Sequence, residues 1–254
     1  MVIEQIPKQI GFIYALLMIL VMTYLWYSGQ WRKKIGWIFL IISTALGFLI
    51  FTPVVPYQIQ QLVLRDEQGL GAPLIVGVIG LLLILILTYI VGRFFCGYFC
   101  PVGTIQEIAY HVPVPKITLR QKKMFMLIRA VFFIFFLLMA FLFSTSVISW
   151  FGIRDFFYLS LASGTFVFII VLLLSIPLYR PFCRLICPYG AILSFGAWKS
   201  MFRLKRTDAC IDCKKCEKAC PTDEAKRNDG KMECYLCGRC TDVCPVPGAL
   251  KYKR

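Results

Sequence analysis

Histidine is nearly missing from this chain: His111 is the only one in 254 residues. A haem held in a membrane bundle usually takes two histidines, so a bis-His haem is excluded as the means of carrying electrons. Acidic residues are also scarce, 13 Asp and Glu against 28 Lys and Arg, for a formal net charge of +15. Charged residues of both signs make up 16% of the chain and hydrophobic ones 59%. With a mean hydropathy of +0.74, that is too apolar for a soluble globular protein and points to the membrane. The basic excess does not indicate nucleic acid, because Lys and Arg fall between and after apolar runs, where they read as topology signals at a lipid surface. No cysteine is spare for a structural disulfide: all twelve fall in four compact motifs, which points to metal ligation.

Five apolar runs are long enough to span a bilayer core of about 30 Å. They cover Ile10 to Tyr27, Ile35 to Phe51, Leu74 to Val91, Met124 to Phe143 and Leu159 to Tyr179. The first lacks the pattern of a cleavable signal and is read as a span. Lys8, Arg65 and Arg154 fall on one side. Arg32, Lys33, Lys34, Arg93, Lys116, Arg120, Lys122, Lys123, Arg129, Arg180 and Arg184 fall on the other. The imbalance predicts a multi-pass protein of the cytoplasmic (inner) membrane with its N-terminus outside and its C-terminal tail inside. Arg129, one turn into the fourth run, is expected to snorkel to the interface. The expected fold is mainly α. A membrane helix bundle with an internal parallel repeat, residues 1–198, is followed by a ferredoxin-like α+β module, residues 199–254. Trp198, Lys199, Phe202 and Arg203 between them resemble an interfacial turn.

The tail carries the most specific signal. Cys210, Cys213, Cys216 and Cys220 followed by Pro221 form C-x2-C-x2-C-x3-C-P, and Cys234, Cys237, Cys240 and Cys244 followed by Pro245 repeat it. In two-cluster ferredoxins the fourth cysteine of each run ligates the other cluster. One 4Fe-4S cluster is therefore expected on Cys210, Cys213, Cys216 and Cys244, and a second on Cys220, Cys234, Cys237 and Cys240. Zinc also takes C-x2-C pairs, but not in this spacing twice over. Lys214, Lys215, Lys218 and Lys226 give the module a basic face, suited either to an acidic protein or to anionic lipid.

The remaining four cysteines form a second pair of motifs. Arg93 to Ile105 matches Arg180 to Ile192 at a shift of 87 residues, sharing the Arg, the Phe before the first Cys, both Cys, Pro, Gly and Ile. Each copy is a C-x3-C-P element, Cys96 with Cys100 and Cys183 with Cys187. Each is expected where a span ends and the chain turns along the membrane surface. Three readings stand: an additional iron-sulfur centre shared by the four thiols, structural turns or a docking face for the tail, or redox-active thiols. A quinone site would need polar groups in an apolar pocket. The candidates are Arg154, Asp155 and Glu67 on one side, and Glu107 and His111 on the other. Each has a plainer reading: a solvated loop pair for Arg154 and Asp155, an exposed loop acid for Glu67, and an i, i+4 pair on an interfacial helix for Glu107 and His111.

Apolar spans, two C-x3-C-P elements and a terminal pair of ferredoxin motifs together resemble the NapH and MauN family of ferredoxin-type membrane proteins, related to the membrane core of NosR. The likeness runs from about Arg93 to Pro245 and rests on the twelve cysteines with Pro101, Pro188, Pro221 and Pro245. It implies a quinol-oxidising electron-transfer protein with quinone and redox-protein partners, ferredoxin-like or cytochrome-type. The first of the five runs departs from the four-span plan of NapH. Two alternatives remain: a conduit from a cytoplasmic ferredoxin into the membrane, or a metal-maturation or redox-sensing role. The latter rests on a partial resemblance to the FixG and CcoG group, whose additional extracytoplasmic domain is not seen after Cys244.

Overall fold

The structure, a computed structural model, describes residues 2–50, 56–70, 73–118 and 120–254. It is mainly helical. The first helices are α1 (Val2–Tyr27), α2 (Lys33–Ile50), α3 (Pro56–Leu64), α4 (Glu67–Leu70), α5 (Leu74–Val91) and α6 (Pro101–Tyr110). They are followed by α7 (Lys122–Phe143), α8 (Ile153–Phe157), α9 (Ser163–Leu174), α10 (Pro181–Leu185) and α11 (Pro188–Ala197). The tail adds α12 (Lys215–Ala219), α13 (Arg239–Asp242) and strands β1 (Arg203–Arg206) and β2 (Leu250–Lys253). The strands pair antiparallel, Arg203 opposite Lys253 and Arg206 opposite Leu250. This alternation turns Leu204 and Tyr252 inward, where both are buried.

Three helices among the described residues are long and apolar enough to cross a membrane: Ile10–Tyr27 within α1, α5 and α7. The run expected from Ile35 is helical as α2, and its expected end, Phe51, lies outside the described residues. The fifth expected run is shorter than its apolar sequence. Helix α9 has 12 residues, about 18 Å at roughly 1.5 Å each. Leu159 has a positive φ of 55°. At the other end the Ser175 hydroxyl donates back to the Val171 carbonyl at 2.7 Å just before Pro177, which lacks an N–H to continue the ladder.

Each C-x3-C-P element leads into a short helix that packs back on the bundle. After α5 the chain passes through a π-helical turn, Phe95–Phe99, and α6 then lies antiparallel to α2. Pro101 packs on Gly47, the Thr44 hydroxyl donates to Thr104 at 2.8 Å, and His111 meets Trp37 at 4.5 Å. Gly47 is roughly 21 Å along α2 from Lys33 at about 1.5 Å per residue, so the cysteine end of α6 is deep in the bundle. Helix α11 follows the second element in the same manner and packs against α5 and α7. Two short helices thus fold back against the longer helices of the bundle.

The tail is joined to the bundle by bonds as well as by burial. Met201 and Phe202 donate backbone N–H groups to the carbonyls of Tyr89 and Ile90 at 2.9 and 2.8 Å, satisfying two acceptors that the end of α5 would otherwise leave open. The Tyr252 hydroxyl donates to the Val91 carbonyl at 2.6 Å. Leu204, Tyr235, Leu236 and Tyr252 belong to the same buried apolar cluster as Phe94, Phe99 and Phe182. Phe202 of the expected interfacial turn stacks on Tyr252, while Trp198 stays half exposed.

Candidate metal centres

The two C-x3-C-P elements fold by one hydrogen-bond pattern. Cys100 N donates to Phe95 O at 2.9 Å and Cys187 N to Phe182 O at 3.0 Å, both five residues back, the π-type bond frequent at functional sites. Thr104 N then donates to Cys100 O and Ala191 N to Cys187 O, at 2.9 and 3.1 Å, starting α6 and α11 with Pro101 and Pro188 in the first helical position. Glycine is required three residues after the second Cys. A Cβ on Gly103 would lie 2.6 Å from Cys96 O, and one on Gly190 would lie 2.8 Å from Cys183 O.

This geometry brings the four thiols together. Cys96, Cys100, Cys183 and Cys187 are all buried and lie within electrostatic reach of one another. N–H groups point at the sulfurs. Arg93 Nη2 lies 3.8 Å from Cys96 Sγ, Gln106 Nε2 donates to Cys183 Sγ at 3.3 Å, and Gly190 N to Cys187 Sγ at 3.2 Å. The backbone N–H of Gly103 serves Cys100. The N-termini of α6 and α11 add their dipoles, which favour negative charge. The Tyr189 hydroxyl is buried, finds no protein partner and lies within reach of Cys96, Cys100 and Cys187.

Arginines enclose this layer and cross between its halves. Arg180 donates to the carbonyls of Cys96 and Gly97, the latter at 2.8 Å, and Arg93 donates to Gly190 O at 3.4 Å. Arg93, Arg129, Arg180 and Arg184 are all buried. The carboxylates bonded to them are Glu233, with Arg93 at 3.2 Å and Arg129 at 2.6 Å, and Glu107, with Arg180 at 2.8 Å. Arg129 therefore does not snorkel: Glu233 and Ser194 hold it inside. Arg93 Nε, Arg129 Nη1 and Arg184 Nε are buried without a protein acceptor. Such an excess of buried positive charge is costly unless an anion sits among it, and an iron-sulfur core ligated by four thiolates is an anion of the right kind.

The tail meets this layer through residues 232–239. Tyr235 lies between the Arg93 and Arg180 guanidinium groups, 4.5 and 4.8 Å from its ring centre. Its carbonyl would lie 2.5 Å from a Cβ on Gly97. Tyr98 donates to Leu236 O at 3.0 Å, and Arg239 pairs with Glu107 at 2.6 Å. Cys220, Cys234, Cys237 and Cys240 line one cavity beside Tyr235, and Cys210, Cys213, Cys216 and Cys244 line another that opens to solvent at Cys213. In both, the fourth cysteine comes from the other run. Among the described residues no three His, Cys, Asp or Glu side chains gather closely enough for a single ion; a cubane of four irons needs its ligands farther apart than zinc does.

The polar candidates for a quinone site have separate places. Glu67 Oε1 accepts the Leu74 N–H at 3.0 Å and so caps α5. Arg154 lies over the Tyr158 ring at 5.5 Å, on α8 with Asp155. Glu107 is not half of a surface pair with His111, since its carboxylate is buried between Arg180 and Arg239. His111 Nδ1 donates instead to the Glu107 carbonyl at 2.7 Å, which leaves Nε2 as an acceptor 3.5 Å from Arg239 Nη2. A cavity lined by Trp31, Trp37, Leu40, Tyr98, His111 and Arg239 opens there and reaches Cys237. Sequence reasoning missed Glu233, Gln106, Tyr189, Tyr235 and Arg239. The one signal for the arginines was the Arg shared by both repeats.

A 4Fe-4S binding domain family matches the chain twice, over residues 73–120 and 161–207, once across each C-x3-C-P element. An uncharacterized protein of Methanocaldococcus jannaschii is 30% identical over 177 residues, covering 65% of this chain and 74% of that one. YccM of Escherichia coli, a protein named for electron transport, is 27% identical over 66% of this chain and 53% of its own. The ferredoxin-type protein NapH of Haemophilus influenzae is 31% identical over 33% of each. No solved structure matches.

Proposed function

Because the chain belongs to the NapH-like polyferredoxin membrane family of iron-sulfur electron-transport proteins, we propose that it passes electrons between a two-cluster tail and a third centre held by Cys96, Cys100, Cys183 and Cys187. Cys210, Cys213, Cys216 and Cys244 hold one tail cluster; Cys220, Cys234, Cys237 and Cys240 hold the other. The clusters supply one-electron redox chemistry. The observation that carries this reading is the convergence of four buried thiols and their N–H donors on one point, directly beneath Tyr235 and Cys234 of the tail.

The chain's own residues do the rest. Two helix N-termini and the arginine layer compensate negative charge inside the bundle. Glu233 and Glu107 anchor that layer to both halves and to the tail. The cavity beside Cys237 suits a quinone head group: Trp31, Trp37 and Leu40 give apolar walls, and His111 Nε2, Tyr98 and Arg239 give polar contacts. The tail is cytoplasmic, on the side of Lys33, Lys34, Lys122 and Lys123, and five helices, α1, α2, α5, α7 and α9, cross or enter the bilayer. The α5 to α6 and α9 to α11 segments form a parallel repeat. Anaerobic purification with iron and sulfide counting tests the reading. Twelve irons with three paramagnetic signals are expected; eight irons, with Cys183→Ala leaving every signal intact, would overturn the third centre.

A further inference from the structure

Of the twelve cysteines only Cys213 is exposed, and the cavity it shares with Cys210, Cys216 and Cys244 is also lined by Ile211, Lys214 and Pro245. Ile211 is 66% exposed. One exposed isoleucine is ordinary on a protein surface. Here it stands between two cysteines of one run, so whatever covers it also comes within reach of a ligand sulfur.

Charge around this mouth is uneven. The carboxylates of Asp212 and Glu217 are bonded to Arg206, and Asp212 also to Arg227, so those four groups balance. Lys214, Lys215 and Lys218 form no ion pair among the described residues, and within 208–220 the one unpaired carboxylate is Asp208. Lys215 and Lys218, three positions apart on α12, lie on one side of it. These lysines do not serve the fold. Cations at the start of a helix oppose its dipole, and Lys214 is held at a positive φ of 57°, a conformation that costs a residue with a Cβ.

The same face is free of the bundle. The hydrogen bonds and ion pairs of residues 208–219 all go to other tail residues, and α12 packs against α13. The bonds that dock the tail leave from residues 201–202, 221–239 and 252. A basic surface bonded to none of the helices that lie in lipid favours a soluble partner over lipid head groups.

Resting on the two-cluster reading of the tail, we propose that the surface around Cys213 is the docking face for a small acidic electron-carrier protein. Ile211 and Pro245 form its centre, and Lys214, Lys215 and Lys218 its rim. An apolar centre within a polar rim is the common plan of protein interfaces, and redox encounters are small ones, burying less than about 1,200 Å². The unpaired lysines draw an acidic partner from solution and speed its encounter. The carrier and the cluster on Cys210, Cys213, Cys216 and Cys244 exchange one electron, in either direction: one loses it, the other gains it, no bond is made or broken and no proton moves.

The test places the whole chain in nanodiscs of phosphatidylcholine and follows electron exchange with an acidic 2Fe-2S ferredoxin by anaerobic stopped-flow absorbance. The second-order rate constant should fall about tenfold or more as added salt shortens the Debye length from about 30 Å to below about 8 Å. Lys215→Glu combined with Lys218→Glu should lower it about tenfold at low salt and converge with the native protein at high salt, with iron content and EPR signals unchanged. Ile211→Ser should weaken the complex and keep the salt dependence. If the paired reversal disturbs α12, Lys214→Asn, which accepts the positive φ, should give a smaller fall in the same sense. A rate indifferent to salt and to these lysine variants, in protein that retains its clusters, overturns the docking face alone. So does a slowing by phosphatidylglycerol in the nanodisc that the paired reversal abolishes, because the lysines would then lie on lipid. Absence from the native protein of the EPR signal that depends on Cys210, Cys213, Cys216 and Cys244 overturns the two-cluster reading with it.

Discussion

At the scale of single residues, the tail cysteines were legible because ligand spacing is local information: four ligands and a proline within a dozen positions describe most of a cluster site. The structure lines each cavity with three cysteines of one run and the fourth of the other. Cys220→Ala should therefore abolish the EPR signal of the cluster on Cys234, Cys237 and Cys240 and spare that on Cys210, Cys213 and Cys216; the reverse pattern would refute the exchanged ligand. The arginines were misread for a physical reason. A basic residue beside an apolar run looks like a topology signal, and the carboxylate that makes Arg93 and Arg129 structural, Glu233, is more than a hundred positions away in the chain. Four of the eleven cations counted on one side, Arg93, Arg129, Arg180 and Arg184, are buried, so the orientation rests on the other seven against three. Glu233→Gln would strand two buried guanidinium groups, and about 3–5 kcal/mol of stability should be lost, read as a lower unfolding temperature in detergent.

Elements were legible where periodicity and length agree, as in α1, α5 and α7, and less so where tertiary contacts decide. Nothing in the composition of Pro101 to Tyr110 says that it folds back along α2; Gly47 and Thr44, which receive it, are unremarkable inside an apolar run. The same holds for the expected fifth span, cut to 12 residues by Ser175 and its neighbours. The repeat was visible as matching letters, and its meaning is a matched set of bonds, with Cys100 to Phe95 and Cys187 to Phe182 both five residues apart. The π-turn carries a further consequence for docking. Gly97 is the point at which the Tyr235 carbonyl rests, so Gly97→Ala should push the 232–239 segment outward. Limited proteolysis and hydrogen exchange should then report a loosened tail while Cys96 and Cys100 remain buried; unchanged protection of Tyr235 and Leu236 would contradict the contact.

For the molecule as a whole, the sequence supports two domains, and the structure describes one continuous core in which Leu204, Tyr235 and Tyr252 of the tail pack with Phe94 and Phe182. A basic tail with few apolar residues reads as an appendage until the surface it covers is known. That surface is the arginine layer, and the thiols lie close against it: Gly97, next to Cys96, carries the Tyr235 carbonyl, and the Arg93 guanidinium is 3.8 Å from Cys96 Sγ and 4.5 Å from the Tyr235 ring centre. The tail is thus a cover for Cys96, Cys100, Cys183 and Cys187, all of them buried, while its own Cys213 is exposed. Susceptible sulfur and iron meet dissolved oxygen in order of exposure, so air should first degrade the cluster on Cys210, Cys213, Cys216 and Cys244 and last the signal that depends on the four covered cysteines; loss of the covered signal first would contradict the shielding.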